Sequence, residues 1–241
     1  MIITYTSLLL MFLEFIHTNH AIICDTEEFH IRSLRGTCTD QIVSLKDNCP
    51  LDLQRSYNCR GKNVKSISEI EGNTSYCSLD ISRNSVKRLK NGTFREWTNL
   101  VALDHSDNYD MEKIESDAFQ GLPNLRYLNL KHTGIHAIPY NYRFFEGFRH
   151  LPELIILDLT QNNFKSYDSI RIAVNHTRKL QYLALEGCPS CTFGPEFGTL
   201  KQLITLDQTV EKEWSYCFIE TLNNKYFENL QFLKYIFLSD C

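Results

Sequence analysis

Residues 148–162 read Phe148-Arg149-His150-Leu151-Pro152-Glu153-Leu154-Ile155-Ile156-Leu157-Asp158-Leu159-Thr160-Gln161-Asn162. Leu154, Leu157 and Leu159 stand three and two apart, Asn162 follows three later, and Phe148 and Leu151 precede the first of these leucines by six and three. The same spacing recurs, with openings at Tyr76, Leu100, Leu125, Leu180, Leu203 and Leu233. The ninth positions of the seven runs are Asn84, Asn108, Thr133, Asn162, Cys188, Glu211 and Cys241, which advance by 24, 25, 29, 26, 23 and 30 residues. A second column, Phe94, Phe119, Phe148, Val174, Phe197 and Phe227, moves in step with the leucines.

An L-x-x-L-x-L-x-x-N/C run at this period is the mark of a leucine-rich repeat. Each unit lays down one short strand, turns its leucines inward and returns along a convex side filled by the phenylalanines. No unit buries its apolar face alone, so neighbours must stack. The expected fold is an α/β leucine-rich repeat solenoid, a horseshoe with a parallel concave β-sheet and a disulfide-stapled N-terminal cap. At the ninth position a buried Asn supplies two donors and an acceptor to backbone groups where the chain leaves the strand. Asn84, Asn108 and Asn162 fit this role; Cys188 and Cys241 read first as small buried thiols. Thr133 and Glu211 depart from it, and because a carboxylate is costly to bury, the sixth coil is expected to be irregular, with 211–217 bulging outward.

The chain has 241 residues, 43% of them hydrophobic, with a formal charge of −4. This excludes disorder and gives no overall field to attract nucleic acid or anionic lipid. Residues 1–21 contain no Lys or Arg, and the run Leu8-Leu9-Leu10-Met11-Phe12-Leu13 has signal-peptide length, too short to span a membrane. The organisation read from the sequence is a signal peptide at 1–21, a cysteine-rich N-terminal region and cap at 22–67, and about seven repeats at 68–241, the last truncated. Sequons at Asn73, Asn91 and Asn175 and nine cysteines agree with export to an extracellular location. Cys49 and Cys59 are expected to pair across a short capping hairpin; the pairing of Cys24, Cys38 and Cys77 stays open. The chain stops at the ninth position of a repeat, which suggests a fragment, with dimerisation or misfolding through Leu233, Ile236 and Leu238 as the alternative.

The exported N-terminus, the Cys49-Pro50 cap, the segment Asp117-Ala118-Phe119-Gln120-Gly121-Leu122 and Leu157-Asp158-Leu159 together resemble the amino-terminal part of a Toll-like receptor ectodomain, over about residues 49–241. The resemblance implies a horseshoe that binds microbial or endogenous ligands, and normally a transmembrane helix and a cytoplasmic signalling domain. It also implies a Cys191–Cys217 bridge, since Cys188-Pro189-Ser190-Cys191 with Cys217 one coil later is similar to the cysteine-bearing irregular repeats of that family. The other reading is a secreted or cell-surface adhesion or matrix protein on the same solenoid.

No Gly-x-Ser-x-Gly, His-Glu-x-x-His or Gly-rich phosphate loop occurs, so a non-catalytic protein is expected, with no cofactor and no metal. Cys188-x-x-Cys191 lacks a second pair for zinc, and His132 and His136 fall on a strand end and loop, as surface residues. Binding is the better-supported class. Strand alternation turns two columns to the concave sheet. One includes Tyr127, Ile156, Tyr182 and Tyr235, candidate anchors for a protein, lipid or glycan ligand. The other includes Asp80, Asp104, Asp158 and Asp207 and is mostly acidic. A receptor homodimer or heterodimer is the further partner expected, with membrane contact only through segments not in this chain.

Overall fold

The computed structural model describes residues 24–27, 56–70, 76–135, 145–162, 164, 166–186, 191–209 and 226–238. Each repeat contributes one strand of three or four residues: β3 (Ser78–Asp80), β5 (Ala102–Asp104), β7 (Tyr127–Asn129), β8 (Ile156–Asp158), β9 (Tyr182–Ala184), β10 (Thr205–Gln208) and β11 (Tyr235–Leu238). Two N-terminal strands, β1 (Asp25–Glu27) and β2 (Ser56–Asn58), precede them, while β4 (Arg88–Leu89) and β6 (Lys113–Ile114) pair on the return side. Among the described residues the main sheet runs β1-β2-β3-β5-β7-β8-β9-β10-β11, with β1 antiparallel and every later pair parallel. The register sets Leu79, Leu103, Leu128, Leu157, Leu183, Leu206 and Ile236 side by side. This is the leucine-rich repeat solenoid that the spacing requires.

The leucines are buried from Leu79 to Leu206, and behind them Phe94, Phe119, Phe148, Val174 and Phe197 fill the convex half of the same core. The rings meet coil to coil, Phe94 on Phe119 at 6.3 Å and Phe119 edge-on to Phe148 at 5.7 Å. Burying each such side chain contributes about 2 kcal/mol. Short helices complete the returns: 3-10 turns at Ile67–Glu69, Gly147–His150 and Pro195–Thr199, and α1 (Ile170–Val174). On β11 the apolar side chains of Tyr235, Ile236 and Leu238 are exposed.

The cap is built differently from the expected Cys49–Cys59 hairpin. Cys59 pairs with Cys24, with a Cα–Cα distance of 4.7 Å. The cause is β1: by lying antiparallel on β2 with Asp25 opposite Asn58, it brings Cys24 beside Cys59. Cys49 lies outside the described residues, as do Cys38, residues 1–21, Glu211 and the 211–217 segment. Cys77 is also in disulfide form.

The asparagine ladder is present as read. Asn84 accepts from Val64 N–H of the preceding coil and donates through Nδ2 to Cys59 O and Ile81 O. Asn108 repeats the arrangement with Val86 N–H, Ile81 O and His105 O. Asn162 accepts from Thr133 N–H and donates to Leu130 O and Leu159 O. Thr133, standing where an Asn would, turns its hydroxyl to Leu130 O in its own coil and to Asn162 Oδ1 of the next, and among the described residues it makes no side-chain bond back to the coil of Asn108. The joint between the coils of Asn108 and Thr133 therefore lacks one rung. The same joint holds His105 at an inward position, fully buried, with no partner for either ring nitrogen among the described residues.

Burial lowers the His105 pKa from the usual 6.5 to about 4. Between those values the unfolded chain takes up a proton that the folded chain refuses, so stability falls as pH falls. The loss approaches about 3 kcal/mol by pH 4, at roughly 1.4 kcal/mol per pH unit. His105→Leu removes both the unpaired imidazole and this linkage. Urea unfolding at pH 6.5 and 4 is expected to show the wild type losing about 3 kcal/mol more than the variant; parallel losses would place His105 outside the titrating set.

Candidate ligand-binding surface

The four concave positions nominated as anchors do not share one environment. Tyr127, Ile156 and Tyr182 have no exposed surface. Together with Cys77, Val101, Ala102, Ile155 and Ala184 they form a second apolar cluster, separate from the main core. The hydroxyl of Tyr182 is engaged by Asp207 Oδ2 at 2.7 Å. Alternation placed these side chains on the correct face; that face is dry at β7, β8 and β9, so they act as packing and not as exposed contact anchors. Tyr235 is the exception and is 42% exposed.

The acidic column is likewise occupied by structure. In four coils the carboxylate Oδ1 accepts from the backbone N–H and from the hydroxyl two residues later: Asp80 with Ser82, Asp104 with Ser106, Asp158 with Thr160 and Asp207 with Thr209, at 2.9–3.0 and 2.6 Å. Asn129 does the same for Lys131 N–H. These bonds fix the exit of each strand, an Asx-type use of a short acidic side chain. The signal was present in the sequence as Asp-x-Ser/Thr, repeated four times.

The surface that sequence reasoning missed lies where the chain leaves the strands. The backbone there is left-handed in successive coils: Gly61 at φ 65°, Arg83 at 54°, Asp107 at 56°, His132 at 52° and Gln161 at 58°. The cap coil fills this position with glycine, the residue suited to it; the next four coils carry side chains there, at about 1 kcal/mol each. Asp107 gathers two of them, with Oδ2 3.5 Å from Arg83 Nε and Oδ1 3.2 Å from His132 Nδ1. The ring of Tyr109, one residue past Asn108, stacks on His132 at 5.7 Å and is 63% exposed. Below it, Gly134 approaches so closely that a Cβ would stand 2.5 Å from Tyr109 O. The result is an exposed aromatic, a guanidinium and an imidazole held together on one flank, residue types that concentrate binding energy at protein interfaces. The ion pairs themselves are exposed and add little stability.

Elsewhere, Asn91 and Asn175 are exposed on the returns, while Asn73 lies outside the described residues. Cys191 is in disulfide form; Cys188 and Cys217 lie outside the described residues, as does His136. Among the described residues no three His, Cys, Asp or Glu are placed to hold a metal ion, and no helix is long and apolar enough to cross a membrane.

Comparison with known proteins agrees with this architecture. The family profile described as Leucine rich repeat matches residues 77–135. Keratocan of Gallus gallus is 36% identical over 62 residues, covering 25% of this chain and 18% of keratocan. Toll-like receptor 3 of Bos taurus is 29% identical, covering 48% of this chain and 15% of the receptor. The chain thus spans less than a fifth of the curated relatives it matches. Among solved structures, an internalin from Listeria monocytogenes superposes with a TM-score of 0.51 at 16% identity, over 83% of this chain and 55% of the internalin. Human 5T4, the trophoblast glycoprotein, superposes at 0.50 and 18% identity, over 76% of each chain. At these identities the two structures speak for the fold alone.

The capping role of the acidic column can be separated from its charge at Asp158. Burial raises the pKa of this carboxyl, against the lowering effect of its Thr160 bonds. A raised folded-state pKa means that the ionised group opposes folding at neutral pH, and that the opposition fades as pH falls through the folded value. Asp158→Asn keeps the acceptor and removes the charge, as Asn129 already does one coil earlier. Its stability at pH 7 is expected to equal or exceed that of the wild type, with the gap closing in acid, whereas Asp158→Ala loses both bonds and about 2 kcal/mol. Thermal unfolding across pH measures both.

Proposed function

We propose that this chain is a non-catalytic, extracellular ligand-binding module that forms the amino-terminal part of a Toll-like pattern-recognition receptor ectodomain. The observation that carries the binding role is the flank of Arg83, Asp107, Tyr109 and His132. Three of its residues sit in a backbone conformation that favours glycine, and its aromatic member is exposed and supported from below. Side chains kept at a conformational cost and presented to solvent are the expected signature of a contact surface. Tyr235 extends the candidate surface at β11. The receptor assignment is supported by the similarity to Toll-like receptor 3 over 48% of this chain. It implies a ligand of protein, lipid or glycan class, a transmembrane helix and a cytoplasmic signalling domain in the full-length product, and dimerisation as a means of signalling.

A second reading is favoured by one observation, the 36% identity to keratocan over 62 residues. Under it the solenoid is a secreted or cell-surface adhesion or matrix protein. The reading frame downstream of Cys241 separates the two: a membrane span followed by a signalling domain supports the receptor, and a second cap followed by a stop supports the matrix protein.

The flank is tested with the secreted chain on arrays of microbial proteins, lipids and glycans. Binding to one class is expected, reduced at least about tenfold, or roughly 1.4 kcal/mol, in the Tyr109→Ala/His132→Ala pair. Arg88→Ala on the return is the control and is expected to bind as the wild type does. Binding that ignores the pair would remove the flank from the contact surface, and substrate turnover by the chain would overturn the non-catalytic reading.

A further inference from the structure

The return after β4 carries a side chain whose two ends face different environments. Asn91 Oδ1 accepts from Asp117 N–H of the next coil at 2.9 Å, and Gly92 N–H donates to Asp117 O at 2.9 Å, so the turn and the next coil are clasped by a reciprocal pair. Asn91 N–H donates to Glu115 Oε2, and Gly92 supplies the positive φ of 70° that the turn needs. Because Asp117 N–H is a donor, it must meet the carbonyl oxygen of the Asn91 carboxamide, which fixes the amide orientation without ambiguity. Nδ2 is left without an acceptor among the described residues, on an exposed residue. Asp117 in turn holds Arg149 Nη2 at 2.5 Å and His150 Nε2 at 2.8 Å, so the clasp continues into the following coil.

We infer that Asn91 is an N-glycan acceptor whose sugar is oriented by this clasp and projects from the convex return, reserving that side of the solenoid from partner contact. Asn91-Gly92-Thr93 is a sequon, and glycosylation engages Nδ2 alone. A lipid-linked pyrophosphate oligosaccharide is the donor: the bond from sugar C1 to the pyrophosphate oxygen breaks, C1 bonds to Nδ2, Nδ2 gives up one proton, and the lipid pyrophosphate leaves. The carbonyl oxygen stays an acceptor throughout, so the coil-to-coil bond survives modification. Asn175, at the end of α1, is also exposed, and among the described residues no clasp of this kind orients it. The inference rests on the extracellular reading above, since the modifying machinery acts only on exported chains.

The experiment secretes the chain twice from animal cells, once with residues 1–21 as they stand and once with a proven signal peptide in their place, and maps glycopeptides before and after peptide N-glycosidase F. The Asn91 peptide is expected to be mostly occupied in the secreted wild type. Thr93→Ala, which destroys the sequon but leaves the carboxamide in place, abolishes that occupancy completely. Thr93→Ala also gives up the Thr93 hydroxyl bond to Lys90 O, so the clasp is read from the double variant Asn91→Ala/Thr93→Ala, which differs from Thr93→Ala only in the carboxamide and whose Tm falls below it. If the proven signal yields secreted protein with Asn91 bare, the inference is overturned while export is untouched. If only the native leader fails to export and the other product is occupied at Asn91, the acceptor site stands and the extracellular reading falls. Equal Tm for the two variants would overturn the clasp as the orienting element.

Discussion

The structure depends on how the chain leaves each strand. Every coil must turn sharply with its backbone polar groups already inside a dry core, and a buried unpaired amide or carbonyl costs roughly 1–3 kcal/mol. In the coils of Asn84, Asn108 and Asn162 two side chains meet that demand from opposite sides. The ninth-position Asn works from the interior, bonding its own coil and the one before it. The Asp of the strand works from the concave side, bonding forward to the residue two positions on. Between them the backbone passes through a left-handed residue, and that sequence of constraints repeats from coil to coil. The leucines supply the driving force for stacking, while these bonds set the angle at which one coil follows another.

Because the solenoid is a sum of near-neighbour interfaces, its weakest joint sets where it opens. The joint between the coils of Asn108 and Thr133 is deficient twice, once through the missing rung and once through the buried imidazole of His105. The backbone bonds across it remain, from His105 N–H to Asn129 O and from Asp107 N–H to Lys131 O. The strand-exit cluster bridges the same joint from outside, since Asp107 and Tyr109 belong to one coil and His132 to the next. A contact surface that spans a weak joint is coupled to it: a ligand that bridges both coils stabilises the joint by mass action, and loosening of the joint weakens the ligand.

Most of the architecture was legible because the constraint is periodic. Leu154, Leu157 and Leu159 announce a coil by spacing alone, and Phe148 announces its return, with no knowledge of long-range contacts. What was not legible is aperiodic. The Cys24–Cys59 bridge depends on β1 pairing antiparallel with β2 across a separation of 35 residues, and spacing among cysteines carries no information about that pairing. Alternation turns Tyr127, Ile156 and Tyr182 to the correct face, yet it says which way a side chain points and not whether water reaches it. The aspartates illustrate the reverse: Asp-x-Ser/Thr was visible, but its meaning as a local cap required the geometry of the strand exit.

The position of the contact surface follows from the same geometry. On the concave sheet, side chains are drawn into cross-strand packing and into capping, as Tyr182 is by Asp207. On the convex side the returns clasp one another through Asn91, Asp117, Arg149 and His150. At the strand exit the backbone is held by bonds from both neighbours, and the side chains of the left-handed residues recur at a spacing of one coil. Such a column can vary in chemistry without disturbing the core. Glycine would serve the backbone better there, and the presence of Arg83, Asp107, His132 and Gln161 in successive coils is a departure from the structural optimum of the kind found where side chains meet a partner.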